Sequence, residues 1–95
     1  MVVGALTINL QVPTSTSLKD KRHVVRSLTA RLRQTFNVAV AEVGDQDLWQ
    51  AAVVGVVCVS SDSRHADEMC QKVLHWVEED GEALLSSSRF ELVNL

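Results

Sequence analysis

The chain has 95 residues, 46% of them hydrophobic and 22% charged, with nine basic and twelve acidic side chains and a net charge of −3. That length holds one hydrophobic core and therefore a single domain over residues 1–95, and the balance of apolar to charged residues excludes intrinsic disorder. The net acidity excludes a surface that coats nucleic acid wholesale, and no apolar run approaches the roughly 18 residues of a spanning helix, so a cytoplasmic protein without membrane contact is expected.

From Val2 to Leu10 the sequence alternates, with Leu6, Ile8 and Leu10 on one side and Ala5, Thr7 and Asn9 on the other. Period two predicts a strand. No basic lead precedes this run and two polar residues interrupt it, so it does not read as a signal peptide. Pro13 and the run Thr14-Ser15-Thr16-Ser17 end it. Ser17 and Asp20 stand at capping-box spacing, with Asp where Glu is commoner. They start a helix that reaches about Phe36, with Leu18, Val25, Leu28, Leu32 and Phe36 as its apolar stripe; Asn37 suits the turn out of it. Residues 38–43 form a short strand, and Gly44-Asp45-Gln46-Asp47 a turn. Ala51 to Val59 is a third strand, apolar on both faces. Ser60 to Ser63 offers several capping oxygens to a second helix from about Arg64 to Glu79. Its inward residues are Ala66, Met69, Cys70, Val73, Trp76 and Val77, and Asp80-Gly81 stops it. Glu82 to Ser88 is expected to be a loop holding at most one helical turn. From Arg89 to Leu95 alternation returns, with Phe90, Leu92 and Asn94 opposite Glu91, Val93 and Leu95.

The order β-α-β-β-α-β is that of the ferredoxin-like split βαβ arrangement, an α+β fold. Right-handed crossovers place both helices on one face of a four-stranded antiparallel sheet of order 4-1-3-2. A sheet face left to water should be polar at alternate positions. The third strand breaks this rule, with Ala51, Val53, Gly55, Val57 and Val59 on one side and Ala52, Val54, Val56 and Cys58 on the other. Val38, Ala39, Val40 and Ala41 break it in the second strand. Something must cover that face, which predicts a homo-oligomer with Leu48, Trp49, Val53 and Val57 at its interface.

Charge is distributed unevenly. Residues 18–36 hold six of the nine basic side chains (Lys19, Lys21, Arg22, Arg26, Arg31 and Arg33) against one acid, Asp20, a formal +5; the remainder, three basic and eleven acidic, is −8. At 100° per residue Lys19, Arg22, Arg26 and Arg33 fall within roughly 60° of one another, with Arg31 and His23 elsewhere. Four aligned cations suit a phosphate backbone. The plainer reading is a solvated helix face balanced by the acidic body. None of the four aromatic residues, Phe36, Trp49, Trp76 and Phe90, lies in the first or third strand, so base stacking on the sheet, as in RNA-recognition modules, is disfavoured.

Sites for chemistry are weak by comparison. Asp45 and Asp47 lack a third ligand to hold a cation. His65 and His75 diverge by about 80° on the second helix, with Cys70 on the core side, and no CxxC or HxxxH spacing occurs. No nucleophile elbow, GxGxxG or Walker sequence is present. Neither a catalytic residue nor a metal ligand nor a cofactor is expected, and Cys58 and Cys70 are expected to be buried, reduced thiols.

Two stretches carry a family pattern: Ser17-Leu18-Lys19-Asp20-Lys21-Arg22, and Phe36-Asn37-Val38 through Ala41-Glu42-Val43 followed by Asp45-Gln46-Asp47-Leu48-Trp49-Gln50. Together with the element order they resemble the YlxP-like family of small bacterial proteins of unknown function, over nearly the whole chain. The resemblance implies a ferredoxin-like fold and no enzyme activity. Members tend to be encoded beside translation and ribosome-maturation proteins, which implies contact with RNA or a ribosomal particle. The resulting expectation is a non-enzymatic, self-associating protein that meets RNA or the ribosome through Lys19, Arg22, Arg26 and Arg33. The alternative is a dimeric regulatory module that binds a small metabolite where polar groups converge, near the hairpin or the dimer seam.

Overall fold

Two crossover helices and one hairpin organise the chain, which a computed structural model describes over residues 1–95. The elements are β1 (Val2–Gln11), α1 (Leu18–Thr35), β2 (Ala39–Gly44), β3 (Ala51–Ser60), α2 (Ser63–Asp80) and β4 (Leu84–Asn94). The sheet order is β2-β3-β1-β4, antiparallel at every pair. This is the expected 4-1-3-2 arrangement read from its other edge, an α+β ferredoxin-like fold.

The core lies between the sheet and the helices. Leu6 stands opposite Val56 and Phe90, Ile8 opposite Val54, and Leu10 opposite Ala52. These inward rows meet Val25, Leu28 and Leu32 of α1 and Ala66, Cys70, Val73 and Val77 of α2, all buried. Gly4 lets α2 settle closely on β1, because a Cβ there would come within 3.0 Å of Cys58 Sγ and 3.1 Å of Cys70 Sγ. Both cysteines are buried and unbridged, with their sulfurs 3.9 Å apart. Burial first, then the neighbouring Cys58, pushes the Cys70 thiol up to about 12, so it stays protonated and inert.

The helix ends follow their residues. Ser17 Oγ accepts the Asp20 N–H at 3.1 Å. The Asp20 carboxylate reaches past the cap to Thr16, accepting its hydroxyl at 2.7 Å and its N–H at 3.1 Å; these bonds hold its carboxyl below the usual range. Asp62 caps α2, and Gly81 ends it in the left-handed region at φ 74°.

Two expectations need correction. The segment Glu82–Ser88 is not a loop, because β4 begins at Leu84 and pairs with β1 across a bulge at Asn9/Leu10. Its three serines offer no alternation to reveal a strand. What makes one is the partner: Asn9 Nδ2 donates to Ser87 Oγ at 3.0 Å, and Ser86 Oγ donates to the Asn9 carbonyl at 3.0 Å. Along α1, Leu18 and Phe36 lie at the ends of the helix and are only half buried, while Lys21 and Thr29 join the buried stripe.

Candidate functional site

The two stretches that carry the family pattern meet at one atom. Lys21 sits at i, i+4, i+7 and i+11 spacing with Val25, Leu28 and Leu32, so α1 directs it inward, and its side chain has 0% exposure. Its ammonium donates to the carbonyls of Asp45 at 2.7 Å, Gln46 at 3.2 Å and Ala51 at 3.1 Å. Glu42 Oε2 lies 3.1 Å away. The three ammonium protons are spent on the carbonyls, so Glu42 supplies charge without receiving a hydrogen bond of its own. Lys21 is therefore a clasp between α1 and the β2-β3 hairpin rather than part of a basic surface. Gln50 reinforces the clasp: its amide donates to the Pro13 and Ser15 carbonyls, at 3.3 and 3.1 Å.

The other cations of α1 divide. Arg31 leans towards α2, where it binds Asp80 Oδ1, binds Glu82 Oε2 at 2.7 Å, and lies 5.3 Å from the centre of the Trp76 ring. Its bond to Asp80 raises the guanidinium above its ordinary value. Arg33 Nη2 donates to the Val40 carbonyl at 2.7 Å and so covers part of the open β2 edge. Of the expected four-member stripe, Arg33 is exposed but has one guanidinium nitrogen tied to the sheet edge. Lys19, Arg22 and Arg26 remain exposed and enter no ion pair. His23, expected to lie apart, lines the same shallow concavity as these three. The reason is that at 100° per residue His23 falls only about 40° from Lys19, on the side of the helix turned away from the sheet and hairpin.

The expected interface residues share one side of the sheet. Val53 and Val57 point away from the helices, in a row with Ala51, Gly55 and Val59. Leu48 and Trp49 are both exposed, Trp49 at 57%, and border Gln11 and Ala51 at the hairpin end of that face. The concavity there, about 480 Å³, is lined by Gln11, Leu48, Trp49, Gln50 and Ala51 and has no charged group. Asp45 and Asp47 are exposed beside it.

Elsewhere, a groove of about 560 Å³ runs between the end of α1 and α2, lined by Phe36, Gln71, Lys72, His75, Trp76 and Glu79. His75 Nε2 lies 3.0 Å from Glu79, and His65 Nδ1 3.2 Å from Ser60 Oγ. No three His, Cys, Asp or Glu side chains are grouped as a metal site would need, and no helix is long and apolar enough to cross a membrane.

Comparison with known proteins matches residues 3–90 to the family described as "Protein of unknown function (DUF503)". Over 62 residues the chain is 37% identical to "Uncharacterized protein YlxP" of Bacillus subtilis (strain 168), covering 65% of this chain and 67% of that protein. A solved structure, "Structure of the REP associates tyrosine transposase bound to a REP hairpin", aligns with a TM-score of 0.46 at 10% identity. That alignment takes in 98% of this chain, which spans 56% of the transposase chain's length. Likeness at that level bears on neither mechanism nor ligand.

Proposed function

We propose, for a chain that belongs to this DUF503 family, a non-enzymatic binding protein that holds structured RNA, free or in a ribosomal particle, against the amino-terminal half of α1. One observation carries the reading: Lys19, Arg22 and Arg26 stand exposed and unpaired on a protein whose net charge is −3. An acidic body with three unanswered cations on one helix favours a local polyanionic contact over a general one. Arginine forks and a lysine ammonium bind phosphate oxygens without reading bases. The absence of aromatic residues from β1 and β3 argues for recognition by backbone and shape rather than by stacking. The tendency of family members to be encoded near translation proteins favours RNA among polyanions.

The same reading takes the protein to work as a homo-oligomer in the cytoplasm. The metabolite-binding alternative receives no comparable support, since the concavity beside the hairpin brings no charged group together with its apolar wall.

The reading is tested by fluorescence anisotropy of a labelled ribosomal RNA hairpin across a salt series. Three phosphate contacts should give a slope of log K against log salt of roughly −2 to −3. An affinity that does not change with salt, or no binding to ribosomal RNA or to ribosomal subunits, would retire it.

A further inference from the structure

We infer that the uncovered sheet face is closed by a second copy of this chain, packed face to face about a two-fold axis. The outward rows of β2 and β3 contain Ala39, Ala41 and Val43, and Ala51, Val53, Gly55, Val57 and Val59. Neither row has a charge or a side chain larger than valine. Val3 and Ala5 of β1 extend the patch, and Val93 of β4 joins it beside Val3. Val59 is 64% exposed and Val43 59%, well beyond what an isolated surface valine requires, and contiguous patches of this kind mark contact sites.

The chemistry of the face selects its occupant. Its outward charges are Arg89 and Glu91 at the β4 side, and they answer each other at 2.8 Å. It therefore offers a foreign partner no unpaired charge to recognise. What fits it is a surface with the same apolar rows on β2 and β3 and the same uncharged polar groups, Thr7, Asn9 and Gln11, on β1, and the face itself is such a surface. Small side chains let two sheets approach to about 10 Å. Beside the Val57 side chain lies a shallow depression of about 220 Å³, lined by Ala39, Val40, Ala41, Val43 and Gly55 as well as Val57. A two-fold axis would set Val57 of each copy against the depression of the other.

The area is also sufficient. Strands of ten, six, ten and eleven residues, at ~3.3 Å per residue and ~4.8 Å apart, give a footprint of about 600 Å² per copy for the whole sheet face. Two copies then bury on the order of 1,200 Å², the lower end of a stable interface, before Leu48 and Trp49 at the hairpin end are counted. The helices lie on the far side of each sheet, so Lys19, Arg22 and Arg26 stay in solvent in both copies. The dimer and the polyanion contact do not compete.

Sedimentation equilibrium tests the inference. Wild-type protein should run at twice its 10.5 kDa mass at micromolar concentration, and Val57→Asp should shift it to the monomer with an unchanged circular dichroism spectrum. A second measurement needs no variant: in radical footprinting, Val43, Val57 and Val59 should be protected at high protein concentration and labelled on dilution. A monomeric wild type overturns the inference. So does a dimer in which those valines are labelled as readily as when dilute, because its contact then lies at a sheet edge or a helix. RNA binding by the Val57→Asp monomer should retain its salt slope, so failure of the dimer and failure of the polyanion reading are separately visible.

Discussion

Lys21 and Arg22 are adjacent in the chain, and the helix turns them about 100° apart. One ends on three carbonyls beneath the β2-β3 hairpin with no exposure at all; the other ends in water. The same division runs along α1. Lys21, Arg31 and Arg33 are engaged by a hairpin, by two acids of the α2-β4 corner, and by a sheet edge. Lys19, Arg22 and Arg26 have no such partner. Formal charge counts the six alike, yet three hold the molecule together and three are free for something else.

Removing Lys21 should have the largest effect on the fold. Lys21→Ala strips the Asp45, Gln46 and Ala51 carbonyls of their donor and leaves Glu42 with an unanswered charge in a half-buried place. Losing one partner of a buried pair costs about 3–5 kcal/mol, which a urea midpoint reads directly. An unchanged midpoint would return Lys21 to the basic surface. On the same arc of the helix, Leu32→Ala should cost roughly 2–5 kcal/mol by cavity formation, because Leu32 is completely buried. Lys21 and Leu32 thus behave as two core residues of different chemistry.

Lys21 also shows where the sequence was legible and where it was not. Both apolar stripes, the hairpin and the strand order follow from local periodicity and two crossovers. Lys21 falls on the apolar stripe by its spacing, and that was a signal: a lysine among Val25, Leu28 and Leu32 must find carbonyls or a carboxylate. What the sequence does not state is which carbonyls, since they belong to a hairpin more than twenty residues away. Arg33 is hidden for a different reason: its acceptor is only seven residues away, but it is a backbone carbonyl on an open strand edge, which no side-chain pattern marks. Around Ser86, Ser87 and Ser88 the strand depends on pairing with β1, and no pattern within the segment reveals it. The interface candidates were legible because valine and alanine on both faces of β3 need only period two to be noticed.

Arg31 should show an effect of intermediate size. It joins two acids and an indole face, but its side chain is 34% exposed, and water screens much of that attraction. Arg31→Ala should therefore cost about 1 kcal/mol, combining a modest ion pair with a cation–π contact. Arg31→Lys should recover part of it, since an ammonium cannot reproduce a fork shared between Asp80 and Glu82. A loss as large as that of Lys21→Ala would mean that the α1-α2 seam, rather than the hairpin clasp, is the main polar tie of the fold.

The smallest effect on stability should come from reversing the free cations. Arg22 and Arg26 are exposed, lie off the buried stripe and enter no ion pair, so Arg22→Glu with Arg26→Glu should move stability by no more than about 0.5 kcal/mol. Binding should respond in the opposite proportion. Each phosphate contact contributes a slope of about −0.9 to log K against log salt, so losing two of three should leave a slope near −1. Affinity for a structured RNA at 0.1 M salt should fall on the order of 100-fold, more where the new carboxylates meet phosphate directly. Circular dichroism and the urea midpoint serve as the fold control, with anisotropy of the labelled RNA as the readout. Wild-type slope and affinity in the double variant would place any RNA elsewhere on the molecule. The three free cations would then be a solvated face, and the difference between Arg22 and Lys21 would be one of packing alone.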